Sequence, residues 1–223
     1  MITKSKIFEV YTDHGGRKLY TVNLTPGKRV YDEQQLVKQN NIEYREWDAY
    51  GSKLATTILN GCKNIFLRKG DAVLYLGSAS GTTASHVSDI VGKEGLVYAV
   101  DIAPKVMKDL IFNCSGRKNI SAILESANHT KKLMERISLV DVIYQDIAQK
   151  DQVDIFLKNI NLFLKKDGYA IIALKARSID VTKYPKQIFK EVRERLEKEL
   201  TIVDYRDLEP YQKDHAMFIC KNR

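Results

Sequence analysis

Between residues 72 and 175 short, mostly apolar runs recur as AVLYL, LVYAV, ISAIL, VDVIY and YAIIALK, separated by stretches of amphipathic character. Runs that are apolar throughout, rather than at every second position, predict strands covered on both faces. Their alternation with helical segments predicts an α/β fold built on a mostly parallel, doubly wound sheet. In such sheets ligands bind beyond the carboxyl ends of the strands. A charged helix is predicted over Pro185 to Leu200, and TIVDYRDL and HAMFIC come after it with only a loop between them, so the sheet should end in an antiparallel hairpin.

The first residues carry a different pattern. KIFEVYT and RKLYTVNL flank the turn DHGG and predict a hairpin, after which Thr25-Pro26-Gly27 breaks the chain direction. Residues 1–50 therefore read as a small β-rich domain ahead of a main domain over 51–223. A unit that small does not hold a core alone, so it should pack on the main domain, with Trp47 at the junction. Ser52 is placed to cap a helix whose Leu54, Ile58 and Leu59 share one face and which Gly61 closes.

Composition narrows the picture. With 223 residues, 44% of them hydrophobic, one substantial core is within reach. The net charge is +8 with most of the excess within residues 1–70, which favours a polyanionic partner. No apolar run succeeds the polar start MITKSKIFEV, so a soluble cytoplasmic protein with no membrane partner is expected. Cys62, Cys114 and Cys220 lie too far apart in sequence to suggest a zinc site and read as thiols of a reducing compartment.

Candidate chemistry sits at the exits of the predicted strands. After AVLYL comes Gly77-Ser78-Ala79-Ser80-Gly81-Thr82-Thr83, a turn of small residues opening a helix, where a ligand can approach backbone N–H groups. It is neither the GxGxxG of dinucleotide sites nor a P-loop. LVYAV ends at Asp101, where a carboxylate can accept hydrogen bonds from both hydroxyls of a ribose. Together these two features favour a nucleoside ligand. Asp146 leaves the fourth strand and Lys175 ends the fifth, poised for the cleft or for solvent. His86 reads as an ordinary helix residue.

Several ordered segments carry a resemblance: Tyr44-Arg45-Glu46-Trp47 with Ser52-Lys53-Leu54-Ala55, GSASGTTASH, DVIYQDIAQ, KARSIDVTK, and Leu208-Glu209-Pro210-Tyr211 with Lys213-Asp214-His215-Ala216. In these the chain resembles fibrillarin, in its compact archaeal form, over essentially its whole length. The resemblance implies a class I (Rossmann-like) methyltransferase fold with a seven-stranded sheet. It implies transfer of the methyl of S-adenosyl-L-methionine to ribose 2'-hydroxyls of pre-rRNA and tRNA. It also implies work within a particle whose box C/D guide RNA selects the target RNA, held by a Nop-type scaffold protein and a ribosomal-protein-like kink-turn-binding protein.

Carried over position by position, the resemblance places a catalytic tetrad on Lys53, Asp146, Lys175 and His215. Cofactor contacts fall on Gly77, Ala79, Gly81, Thr82, Thr83, Asp101, Ile102, Ser126, Ala127, Asp146, Ile147, Ala148 and Gln149. One departure stands out. Where the family shows Gly-Asp-Ala, this chain reads Glu125-Ser126-Ala127, so a hydroxyl stands where a carboxylate would accept from the adenine amino group. That departure leaves open an alternative in which the protein is a structural subunit with a weakened cofactor site.

Overall fold

From its first residues the chain builds an antiparallel sheet of β1 (Ile2–Lys4), β2 (Tyr11–Asp13), β3 (Leu19–Val22), β4 (Leu36–Gln39) and β5 (Ile42–Trp47), in the order β1-β2-β3-β5-β4. The computed structural model describes residues 1–31 and 35–223. The expected hairpin is β2–β3, with Tyr11 opposite Tyr20. Three further strands join it. The helix expected after Ser52 is α1 (Lys53–Leu59), and the Ser52 hydroxyl accepts the Ala55 N–H at its first turn.

The main sheet collects the apolar runs. Its elements are β6 (Ala72–Leu76), α2 (Thr82–Val91), β7 (Leu96–Asp101), α3 (Pro104–Asn113), β8 (Ile120–Leu124), α4 (Thr130–Met134), β9 (Val140–Gln145), α5 (Gln152–Phe163), β10 (Leu164–Lys175), α6 (Ala176–Ile179), α7 (Pro185–Leu196), β11 (Leu200–Asp207) and β12 (His215–Asn222). The seven strands run in the order β11-β12-β10-β9-β6-β7-β8. β6 to β10 are mutually parallel, and β12 is antiparallel to both β10 and β11. The predicted closing hairpin is present, with its second strand inserted next to β10. This is the doubly wound class I methyltransferase arrangement. The helix predicted to Leu200 stops instead at Leu196, because Leu200 is buried in the sheet opposite Asn222.

Both faces of the main sheet are covered, as continuous apolar runs require. Leu74, Leu76, Ile143 and Ile172 pack under α5 and α7 with Phe156 and Phe189. On the other face Val73, Tyr75, Ile171 and Met217 meet Leu54 of α1 and Val87 and Ile90 of α2. Ile7, Val10, Leu19 and Trp47 enter this second core, so the N-terminal sheet completes one face of the main sheet. Trp47 is buried at the junction and stacks on His86, with ring centroids 4.8 Å apart.

A buried polar cluster ties the sheets together. Asp89 of α2 receives Arg45 from β5 at 2.8 Å and Arg117 at 2.6 Å, and also the Thr21 hydroxyl at 2.7 Å and the Leu24 N–H at 3.1 Å. The His86 ring lies between the hydroxyls of Thr21 and Tyr31. Burial, reinforced by Arg45 and Arg117, holds its pKa far below the ordinary imidazole range. No helix among the described residues is long and apolar enough to cross a membrane, and all three cysteines are buried free thiols.

Candidate active site

The parallel strands β6, β7 and β9 deliver their carboxyl ends to one place. The turn after β6 is pinned there, since the N–H groups of Gly77 and Ser78 both donate to the Val100 carbonyl, at 2.9 and 3.1 Å. Asp101 comes directly after, one carboxylate oxygen accepting the Ala79 N–H at 2.9 Å and the other the Ala103 N–H at 3.0 Å. Each oxygen keeps lone-pair capacity for a further donor, which suits the two hydroxyls of a ribose. A cavity of about 250 Å³ opens beside it, walled by Gly77, Ala79, Asp101, Ile102, Ser126, Ala127 and Asp146 to Gln149, with Val100 and Glu125 besides.

Ten of the expected cofactor positions therefore line one hollow, and three do not. Gly81 lies at the head of α2 with φ +97°, and a side chain there would meet Cys114. Thr83 is buried and donates to the Ser52 hydroxyl at 2.9 Å, so it registers α2 against the residue that caps α1. Thr82 borders a separate hollow with Asp48, Tyr50 and Gly51.

The four residues of the expected tetrad come from four elements. Lys53 opens α1, and its Nζ contacts both Asp146 oxygens, at 2.8 and 2.9 Å. Asp146 leaves β9 with its N–H on the Leu76 carbonyl, at 2.9 Å. Lys175 ends β10 directly opposite His215, the first residue of β12. Burial lowers the His215 pKa, Lys53 and Lys175 push the same way, and the Lys213 carbonyl and Asp146 act against them. His215 thus feels all three partners. Its Nδ1 lies 2.6 Å from the Lys213 carbonyl, which only accepts, so Nδ1 carries the proton and Nε2 keeps its lone pair when the ring is neutral.

A residue that the sequence did not flag holds Lys175. The buried carboxamide of Gln152 accepts the Lys175 N–H at 3.2 Å and donates toward its carbonyl at 3.3 Å and toward the Gln149 carbonyl at 2.8 Å. The Gln152 carbonyl in turn accepts from Gln145 at 2.6 Å. A carboxamide acting across 23 residues leaves no local sequence signal.

The family model described as Fibrillarin matches residues 2–223. The chain belongs to the fibrillarin family. It is 46% identical over 215 residues to a fibrillarin-like rRNA/tRNA 2'-O-methyltransferase of Pyrococcus furiosus, covering 96% of this chain and 94% of that one. The structure is similar to Aeropyrum pernix fibrillarin with natively bound S-adenosyl-L-methionine, with TM-score 0.90, 41% identity, and coverage of 99% and 97%. It is similar also to the fibrillarin of a fibrillarin/Nop5p complex, with TM-score 0.89, 39% identity, and coverage of 99% and 100%.

Within the fibrillarin fold the Glu125-Ser126-Ala127 segment keeps its place in the cavity wall. The Ser126 Oγ accepts the Asn128 N–H at 3.2 Å, which leaves one lone pair and its own proton for a ligand. Glu125 does not stand in for a missing acceptor. Its carboxylate is taken up by the Ser126 N–H, by His129 and by Lys132, contacts that hold its pKa down to about 2.

Gly77 sets the spacing between the turn and Asp146. Its φ is +83°, and a Cβ there would overlap the Asp146 carbonyl and lie 2.7 Å from Ile147 Cγ2. Gly77→Ala must therefore push the Asp146 strand end away, at roughly 2 kcal/mol of combined backbone strain and overpacking. The expected result is a melting temperature a few degrees lower and S-adenosylmethionine affinity weakened at least tenfold by calorimetry. Unchanged affinity would show that this spacing is not needed.

Proposed function

We propose that this protein is a ribose 2'-O-methyltransferase of rRNA and tRNA that uses S-adenosyl-L-methionine. We propose further that it serves as the catalytic subunit of a box C/D particle, with a guide RNA, a Nop-type scaffold and a kink-turn-binding protein. The observation that carries the reading is the juxtaposition of the Asp101 cavity with Lys53, Asp146, Lys175 and His215 at the strand ends. Family membership supports the activity, and the names of the relatives support the cofactor and the Nop-type partner. The net charge of +8 suits an RNA backbone.

The cavity residues fit the donor by their chemistry. Asp101 would take the ribose hydroxyls, the small-residue turn admits close backbone approach, and the Ser126 hydroxyl would be available to the adenine edge. When bound, S-adenosylmethionine supplies an electrophilic methyl on a sulfonium. The protein's part is to present the 2'-oxygen in line and to remove its proton. The hydroxyl is only weakly acidic, so its proton is drawn off as the oxygen attacks, and a cation beside that oxygen makes the removal easier. Asp146, anchored by Lys53, orients the hydroxyl and draws off the proton. Lys175, held at its backbone by Gln152, stabilises negative charge on oxygen. His215, through Nε2, positions the nucleotide as an acceptor.

Reconstitution with guide RNA and both partner proteins, with mapping of ribose methylation, tests the reading. Absence of guided 2'-O-methylation, or failure to bind S-adenosylmethionine in calorimetry, would favour the structural-subunit alternative. A pH profile tests His215 separately. A depressed pKa means the ring loses its proton below the ordinary value of about 6.5, so an acceptor role predicts activity that rises on the acid side and is level from pH 7 upward. In His215→Ala that part of the limb should vanish. A limb that survives unchanged would remove His215 from the scheme.

A further inference from the structure

Tyr50 is 72% exposed, among the most exposed aromatic side chains, and it sits three residues before Lys53. Its position is rigidly determined although its ring covers no core. One Asp48 oxygen accepts the Tyr50 N–H and the other the Gly51 N–H, both at 3.0 Å, which closes the turn leading into α1. Gln212 Nε2 donates to the Tyr50 carbonyl at 2.7 Å and so joins this turn to the loop that leads into His215. That loop is itself held by Asn60, whose amide donates to the Asp207 and Glu209 carbonyls at 2.8 and 2.9 Å. Tyr211 then meets the Tyr50 ring edge-on, with centroids 5.1 Å apart at 63°.

The two loops that deliver Lys53 and His215 are thus cross-braced at a pair of tyrosines, and the bracing leaves an aromatic face toward solvent. We propose that Tyr50, steadied by Tyr211, is a stacking platform for a nucleobase of the substrate RNA next to the nucleotide whose ribose is methylated. A flat π-surface binds any base, so it adds affinity without sequence preference. That property suits an enzyme whose targets are chosen elsewhere. Trp47, another aromatic near the junction, is buried and stacks on His86, so it is not available to RNA. The inference rests on the RNA methyltransferase reading.

The test uses the reconstituted particle in single turnover, titrating substrate RNA at saturating S-adenosylmethionine. Tyr50→Ala should raise the half-saturating RNA concentration about tenfold or more, the effect of losing one stacked base, with S-adenosylmethionine affinity unchanged. Tyr50→Trp should restore it. An abasic nucleotide beside the target should weaken the wild-type complex by a similar factor and add little to Tyr50→Ala, because both remove the same contact. Normal RNA saturation in Tyr50→Ala, or additive losses with the abasic substrate, would overturn the proposal. So would a variant whose defect is failure to retain the scaffold protein, since the face would then belong to a protein partner. A wild-type particle that methylates no ribose would instead defeat the underlying reading.

Discussion

Asp146→Ala is expected to reduce methyl transfer by about three orders of magnitude while leaving the fold intact. In the proposed scheme the carboxylate receives the 2'-hydroxyl proton, and positioned acid–base groups contribute roughly 10²–10⁴ in rate. Its removal also frees Lys53 Nζ from its anchor. Because Lys53 and Asp146 side chains are 23% and 20% exposed, the unpaired ammonium can turn to water, and stability should change by no more than about 1 kcal/mol. Lys175→Ala should behave alike. Asp146→Asn separates the roles, since it preserves shape and one acceptor but takes up no proton. Rates within tenfold of wild type in Asp146→Ala, with a normal melting curve, would dismiss the assignment.

Asp89→Ala is expected to be the most destabilising single change, at about 3–5 kcal/mol, because it strands Arg45 and Arg117 in a water-free interior. Arg45 is fully buried and Arg117 nearly so, and the Thr21 hydroxyl and Leu24 N–H lose their acceptor as well. For a chain of this size the melting temperature should fall by on the order of 10 °C. Denaturant unfolding measures it directly. A loss below about 1 kcal/mol would mean that water reaches the cluster.

Much of the main sheet was legible because β6, β7, β9 and the second half of β10 are mostly continuous apolar runs and each turn is local. AVLYL, LVYAV and VDVIY are β6, β7 and β9 nearly residue for residue. Asp101 was legible from its place after a strand, and its bond to Ala79 ties it to the glycine turn. The tetrad positions came from resemblance, since nothing local links Lys53 to a carboxylate 93 residues on. The N-terminal sheet was legible only as a hairpin. β5 reads IEYREW, and its Arg45 looks like a surface residue until its buried partner Asp89 is seen. His86 looks like an ordinary helix residue for the same reason, its partners lying on the other sheet. The end of α7 is masked because Leu200 falls four residues after Leu196 and continues the apolar helical stripe, whereas its actual partner is on β12.

The order of strands at the closing edge has a consequence for how the chain matures. Among the described residues β11 pairs only with β12, and β12 covers the hydrogen-bonding side of β10 that would otherwise be bare. A ribosome that has released β11 but not yet β12 holds a chain with an unprotected strand of buried, apolar character, the kind of surface that recruits other chains. The juxtaposition of His215 with Lys175 that the proposed scheme uses and protection of the β10 edge therefore arrive together, when β12 slides into its slot.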